Sequence, residues 1–263
     1  MLCLNNKAVF LFFRKKTLKL LKRIIQLLYC LYVAIVFIIT ILVAFPFFLV
    51  SSLFKQRTHN FNYTICTIWA RLLYVIAGIQ HKEIKQFPHD ANKPYVFVAN
   101  HSSYLDILAM LLSIHQPFRV LGKYEMSKIP VFGFMYKATV IMVDRSCANN
   151  RAKSTKELIV TLQKGISVFI FPEGTFNETN EPLIPFYNGA FKIAIETQTP
   201  IKPLLFVDSL KRLHHTSITS LTPGISRVIY LEEIKVEGLT MNDLPQLKQH
   251  VHDIMQKELL QYQ

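Results

Sequence analysis

No acidic residue occurs before Glu83. The 263 residues carry 30 Lys and Arg against 17 Asp and Glu, and 11 of the basic residues lie in positions 1–82. The other 19 nearly balance the acids, so the net charge of +13 is concentrated in the N-terminal third. A basic segment fused to apolar runs suits an anionic lipid surface. A nucleic-acid groove would need that charge on the folded domain, interleaved with aromatics, so no nucleic-acid partner is expected. Cysteine is scarce. Cys3, Cys30, Cys66 and Cys147 form no CxxC pair and no Cys/His cluster at metal spacing. Neither a structural zinc nor an oxidising compartment is called for. Cys30 and Cys66 fall in apolar runs, where cysteine serves as a small apolar filler. There is no internal repeat and no GxSxG elbow, which argues against a hydrolase built on one.

Charge is also missing throughout residues 24–50. That length exceeds the roughly 20 residues a helix needs to cross a bilayer core. It is too long for the apolar core of a secretory signal, and no small-residue cleavage site follows it. Pro46 is expected to kink or end the helix. The basic cluster over 7–23 predicts a cytoplasmic N-terminus. Next, Phe61, Ile65, Ile68, Trp69, Leu72, Val75, Ile76 and Ile79 recur at helical spacing. Two readings are open for this second helix. It either faces a core, or lies in the membrane interface with Trp69 and Tyr74 at headgroup level. Residues 1–82 are therefore expected to form a basic, apolar, membrane-anchoring two-helix element, and 83–263 a catalytic domain.

From residue 95 onward, apolar runs of strand length alternate with helical patterns. Strands are expected at 95–99, 118–121, 139–143, 166–171, 201–206 and 226–231, and helices at 104–113, 151–164, 188–198 and 243–261. Gly165 is placed to close the second of these helices, and Asp243 to cap the last, with Gln246 three residues on. Residues 211–223 read as a loop. The alternation predicts an α/β domain with a mostly parallel sheet flanked by helices.

Four short motifs mark the strand ends. The first is Asn100-His101-Ser102-Ser103-Tyr104-Leu105-Asp106, directly after the expected strand 95–99. Ligands bind at such strand ends in open α/β sheets. A histidine titrates near neutrality, so His101 is a candidate general base toward a substrate hydroxyl. Asp106 is a candidate to orient the imidazole and stabilise its charged form. The substrate then supplies the nucleophilic oxygen, and no enzyme Ser or Cys is needed. The second motif runs from Gly122 through Gly133 to Asp144-Arg145. Lys123 and Arg145 suit phosphate, but by themselves read equally as a solvated lysine and a local ion pair. The third, Phe171-Pro172-Glu173-Gly174-Thr175, has a glycine that lets backbone approach a ligand, or is an ordinary strand-to-loop turn. The fourth, Pro200-Ile201-Lys202-Pro203, reads as a rigid strand entry.

In this order the four motifs resemble the conserved blocks of the glycerophospholipid acyltransferases, the 1-acylglycerol-3-phosphate acyltransferase family. The resemblance covers residues 80–210 by motif and 1–80 by character only. It implies acyl transfer from acyl-CoA or acyl-carrier protein to the free hydroxyl of a lysophospholipid acceptor, giving phosphatidic acid. The acyl carrier would be a co-substrate, with no cofactor and no metal. His101 and Asp106 would be catalytic. Lys123 and Arg145 would bind the acceptor phosphate, and Glu173, Gly174 and Thr175 would shape the acceptor site. Backbone amides near Glu173-Gly174 are candidate oxyanion donors. The Pro200–Pro203 block would lie near the active site and affect donor use. One position departs from the pattern: the family often has Arg after the Thr, and here it is Phe176. That loss removes a charge-assisted contact of about 1.5–3 kcal/mol. Either Arg145, Lys192 or another cation compensates, or the acceptor is a different lysolipid.

A single span with the N-terminus inside would place residues 83–263 away from these cytoplasmic donors. A helical hairpin, or a helix pair dipping into one leaflet as the resemblance implies, removes the conflict. The expected location is the membrane, with the catalytic domain on its cytoplasmic face.

Overall fold

The computed structural model describes residues 3–53, 58–144 and 148–262. The uncharged run and the basic cluster before it form one helix, α1 (Cys3–Ser52). Its stretch Phe10–Ser52 is long and apolar enough to cross a membrane, and little of it is buried. Pro46 does not end it. The turn after Pro46 carries Phe48, which is fully buried against Met135, and that packing holds the helix on to Ser52.

The second helix, α2 (Thr58–Ile76), pairs with α1. Tyr29 Oη donates to Ala77 O at 2.6 Å, and Trp69 Nε1 to Thr40 Oγ1 at 3.0 Å. Ala70, Leu73, Tyr74 and Ala77 are buried while Ile68, Leu72 and Val75 are exposed. The headgroup placement of Tyr74 is therefore corrected. Tyr74 is 2% exposed and its hydroxyl lies 3.3 Å from Ser226 Oγ, so α2 is a core-facing helix with an apolar outer face.

Seven strands follow in one sheet. They are β1 (Ile79–Ile84), β2 (Val96–Ala99), β3 (Phe118–Lys123), β4 (Val140–Val143), β5 (Ser167–Ile170), β6 (Ile201–Phe206) and β7 (Gly224–Tyr230). Their order is β1-β7-β6-β2-β5-β3-β4, parallel at every pairing except β6 with β7. β1 has no counterpart among the expected strands, and it straddles the 82/83 boundary drawn from charge. Gln80, His81, Lys82 and Glu83 give it no apolar alternation, and it is an edge strand held by β7 alone.

The helices between strands are α3 (Leu105–Ser113), α4 (Phe132–Thr139), α5 (Ala148–Gln163), α6 (Gly189–Thr197) and the four-residue α7 (Ser209–Arg212), and α8 (Leu244–Leu259) follows the last strand. One face of the sheet, with Val96, Val98, Val168 and Ile201, packs on α5, α6 and α8. The other, with Phe97, Phe169, Leu204 and Phe206, packs on α3. Gly165 closes α5 with φ +75°, its N–H donating to Leu162 O. Asp243 does not cap α8 through its side chain. Its carboxylate turns back to Thr240 N and Oγ1, both at 2.8 Å, and closes the preceding turn instead. α4 was not anticipated: it is only eight residues long and follows Pro130 directly.

Candidate active site

The parallel strands β2, β3, β5 and β6 end on one edge of the sheet, and the first motif leaves from there. Asn100 fixes the departure. Its Nδ2 donates to Phe206 O at 3.0 Å and its Oδ1 accepts from Phe206 N at 2.8 Å, tying the end of β2 to the end of β6. Asp106 sits in the first turn of α3, fully buried. Its Oδ2 accepts from Ser102 N at 2.7 Å and Ser103 N at 2.8 Å, and lies 3.0 Å from His101 Nδ1. A carboxylate oxygen already taking two amide donors holds Nδ1 as a third donor. Nε2 is then the basic ring nitrogen.

The His101 ring is held from its sides as well. It stacks on Phe171 with centroids 3.8 Å apart and meets Phe176 at 4.4 Å. Its backbone is held from below: His101 N–H donates to Glu173 Oε1 at 2.7 Å, and His101 O accepts from Asn177 N at 2.7 Å. The other Glu173 oxygen accepts from Ile184 N at 3.2 Å. Glu173 is 1% exposed, and burial pushes its carboxyl up to about 7 despite the two amide donors.

These contacts redistribute the expected roles. Both Glu173 oxygens face backbone amides, so its geometry is that of a brace under His101 rather than of a substrate contact. Gly174, at φ +73°, does not offer an oxyanion donor, because its N–H donates to Phe171 O at 3.0 Å. Gly174 and Thr175 line the cavity described below. Lys123 ends β3, is exposed, and lines the same cavity. Arg145 lies outside the described residues. Lys192 pairs with Glu196 at 3.6 Å on α6, across the sheet from the cavity-lining α3. The Pro200–Pro203 block sits at the opposite end of β6 from His101: Ile201 pairs with Val96, whereas the Asn100 contact is made by Phe206. Lys202 there is buried, with Nζ donating to Phe87 O at 2.7 Å and Leu231 O at 2.6 Å.

Sequence reasoning placed Asn100 and Phe171 in the motifs and Phe176 at the acceptor position, but missed that all three hold the His101 segment. The first was legible as a polar residue at a strand end. The stacking of the two phenylalanines on His101 left no signal in the chain.

A cavity of about 550 Å³ opens beside His101. It runs between α2, α3, β3 and α4, past Met110, Leu111, Val120 and Met135, as far as Trp69 and Phe48. This volume is in the range of small-molecule sites, and its wall is mostly apolar with His101 and Lys123 among its few polar groups. Among the described residues, no three His, Cys, Asp or Glu side chains gather as a metal site.

A protein-family model described as Acyltransferase matches residues 78–207, the stretch that carries β1 to β6 and all four motifs. A chloroplastic 1-acyl-sn-glycerol-3-phosphate acyltransferase of Brassica napus is 32% identical over 217 residues, which are 81% of this chain and 61% of that protein. The chain belongs to the acyltransferase family. The alpha 1-acyl-sn-glycerol-3-phosphate acyltransferase of Mus musculus is 32% identical over 71% of this chain and 65% of its own length. The chain thus spans somewhat under two thirds of these curated relatives. The crystal structure of the 1-acyl-sn-glycerophosphate acyltransferase PlsC from Thermotoga maritima superposes with a TM-score of 0.72, covering 92% of this chain and 96% of that one at 18% identity. At that identity the likeness shows the fold alone.

Proposed function

We propose that the protein is a membrane-bound acyltransferase. It moves a fatty acyl group from acyl-CoA or acyl-carrier protein to the free hydroxyl of 1-acylglycerol-3-phosphate, giving phosphatidic acid. The observation that carries this reading is the His101–Asp106 pair set into the wall of an apolar cavity. His101 Nε2 takes the acceptor's hydroxyl proton as the oxygen attacks the thioester carbonyl. The tetrahedral intermediate collapses, the C–S bond breaks, and the departing sulfur takes the proton from His101 and leaves as the thiol. Asp106 stabilises the imidazolium between the two proton transfers. The apolar cavity suits an acyl chain, and Lys123 on its rim is the candidate ligand for the acceptor phosphate, with Arg145 as a second. The acyl carrier is a co-substrate. α1 and α2 hold the site at a bilayer, and the cytoplasmic donors put the catalytic face on that side.

A second reading has its own observation. Phe176 packs between His101 and Tyr104, at 4.4 and 4.8 Å, and brings no charge to the acceptor side. This favours an acyltransferase for another lysolipid. Detergent-purified protein assayed with labelled acyl-CoA and acyl-carrier protein against lysophosphatidic acid, other lysophospholipids and glycerol-3-phosphate separates the two. Transfer to lysophosphatidic acid above all other acceptors is the expected result. Transfer to another acceptor moves the substrate and keeps the mechanism. Folded protein that transfers to none is a lipid-binding member of the fold.

A further inference from the structure

A second apolar hollow, of about 420 Å³, lies outside the catalytic cavity. One wall is the α1 face of Phe37, Ile38, Ile41 and Leu42, and the other is Met126 with residues 129–132. Every lining side chain is apolar. Met126 and Phe132 also line the catalytic cavity, so the two spaces share a wall. Ile38 and Leu42, on the helix long enough to cross a membrane, are 58% and 53% exposed, and Ile129 on the facing wall is 43% exposed. The groove therefore opens where apolar surface needs apolar cover.

The shared wall is held in an unusual shape. Val131 has φ +62° and ψ −60°, and Phe132 N–H donates to Pro130 O across it at 2.6 Å. This tight turn is strained for any residue and more so for a β-branched one. Gly133 N–H donates to Ile129 O at 2.7 Å, and a side chain at Gly133 would run into the Ser127 backbone. Strain of this kind persists where the surroundings over-determine it, and it clusters at ligand sites.

The reaction read above involves two acyl chains: the one transferred, and the one the acceptor already carries. The cavity at His101 suits the first. We propose that the groove between α1 and residues 126–132 seats the second, the resident acyl chain of the single-chain acceptor. This rests on the acyltransferase reading. It places the two chains on either side of a wall whose Met126 is unbranched and adaptable, as a product with both chains on one glycerol requires. It also puts Lys123, three residues before Met126 and on the catalytic rim, within the same segment as the headgroup ligand.

The test uses the full chain in vesicles and a lysophosphatidic acid whose resident chain ends in a diazirine. Irradiation should label peptides covering 37–42 and 126–132, and unlabelled lysophosphatidic acid should compete where acyl-CoA does not. Label confined to cavity residues such as Met110 and Trp69, label elsewhere on α1, label without competition, or label displaced by acyl-CoA would overturn the proposal. Ile38→Trp and Ile129→Trp fill the groove from its two walls. Each should raise KM for a long-chain acceptor about tenfold over that for a short-chain one, the effect of losing roughly two buried methylenes. The acyl-donor chain preference should not change. Equal effects on both acceptors, or a shifted donor preference, would contradict it. If wild-type protein transfers to no acceptor, the catalytic reading fails, and the labelling pattern still decides what the groove holds.

Discussion

Asp106 Oδ2 takes three donors, and this determines what an asparagine would do there. With its oxygen at the Oδ2 position, Asp106→Asn keeps the Ser102, Ser103 and His101 contacts. Its NH2 falls where Oδ1 now lies, buried with no hydrogen-bond partner among the described residues. The reverse orientation would set NH2 against two amide donors. The histidine tautomer therefore survives and only the charge is lost. A fall in kcat of about ten- to a hundredfold is expected, from the difference between a charge-assisted and a neutral hydrogen bond. That is well short of the roughly 10⁴-fold loss that a wrong tautomer causes in a serine-protease triad, and steady-state kinetics of the variant distinguish the two. Glu173 makes a pH prediction. Its folded pKa, about 7, lies above its ordinary 4.5, so the folded protein holds the proton more tightly than the unfolded one. Stability from this group is full below about 4.5 and falls as pH rises to about 7, by roughly 3 kcal/mol at most. The Tm of wild-type protein should drop across that window, and Glu173→Gln should remove this part of the drop. At this scale the pair His101 and Asp106 was legible, because a strand end and a four-residue gap placed both in one turn. The brace was not. Glu173 reads as a substrate residue until one sees that both its oxygens face amides 72 and 11 residues away in the chain.

Among the elements, strands with continuous apolar runs were legible to within a residue or two, since a buried parallel strand has no polar face to disguise it. β6 runs over the expected residues, Ile201–Phe206. β1 escaped because its residues are mostly polar and its pairing with β7 is settled about 145 residues away. The antiparallel β6–β7 joint escaped because both strands were legible as apolar runs but their relative direction was not. It is secured by Asp208, whose carboxylate accepts from Arg227 Nε and Nη2, both at 2.7 Å, which holds its pKa below the usual carboxylate range. Lys202 is the second tie, and burial pushes its pKa down. Lys202→Met would leave Phe87 O and Leu231 O without their donor. Chemical denaturation should show a loss of about 2–3 kcal/mol. The kcat of the folded variant should be unchanged, since Lys202 is at the far end of β6 from His101.

For the whole molecule, segregation of charge is the feature to test. Lys15, Lys16, Lys19, Lys22 and Arg23 are all exposed on α1, immediately before its uncharged stretch. Replacing all five by Gln should weaken binding to anionic vesicles by several kcal/mol, at about 1 kcal/mol per cation, and leave binding to neutral vesicles nearly unchanged. Flotation at low and high salt measures both. A loss of equal size on neutral vesicles would mean that the basic cluster acts through folding. The account as a whole depends on His101 being the base that moves an acyl group. The direct measurement is acyl transfer to lysophosphatidic acid by wild-type protein and by His101→Ala, matched for folding by circular dichroism. The account predicts transfer by wild type and a loss of about 10²–10⁴-fold in kcat in the variant. Transfer at an unchanged rate by His101→Ala would contradict it.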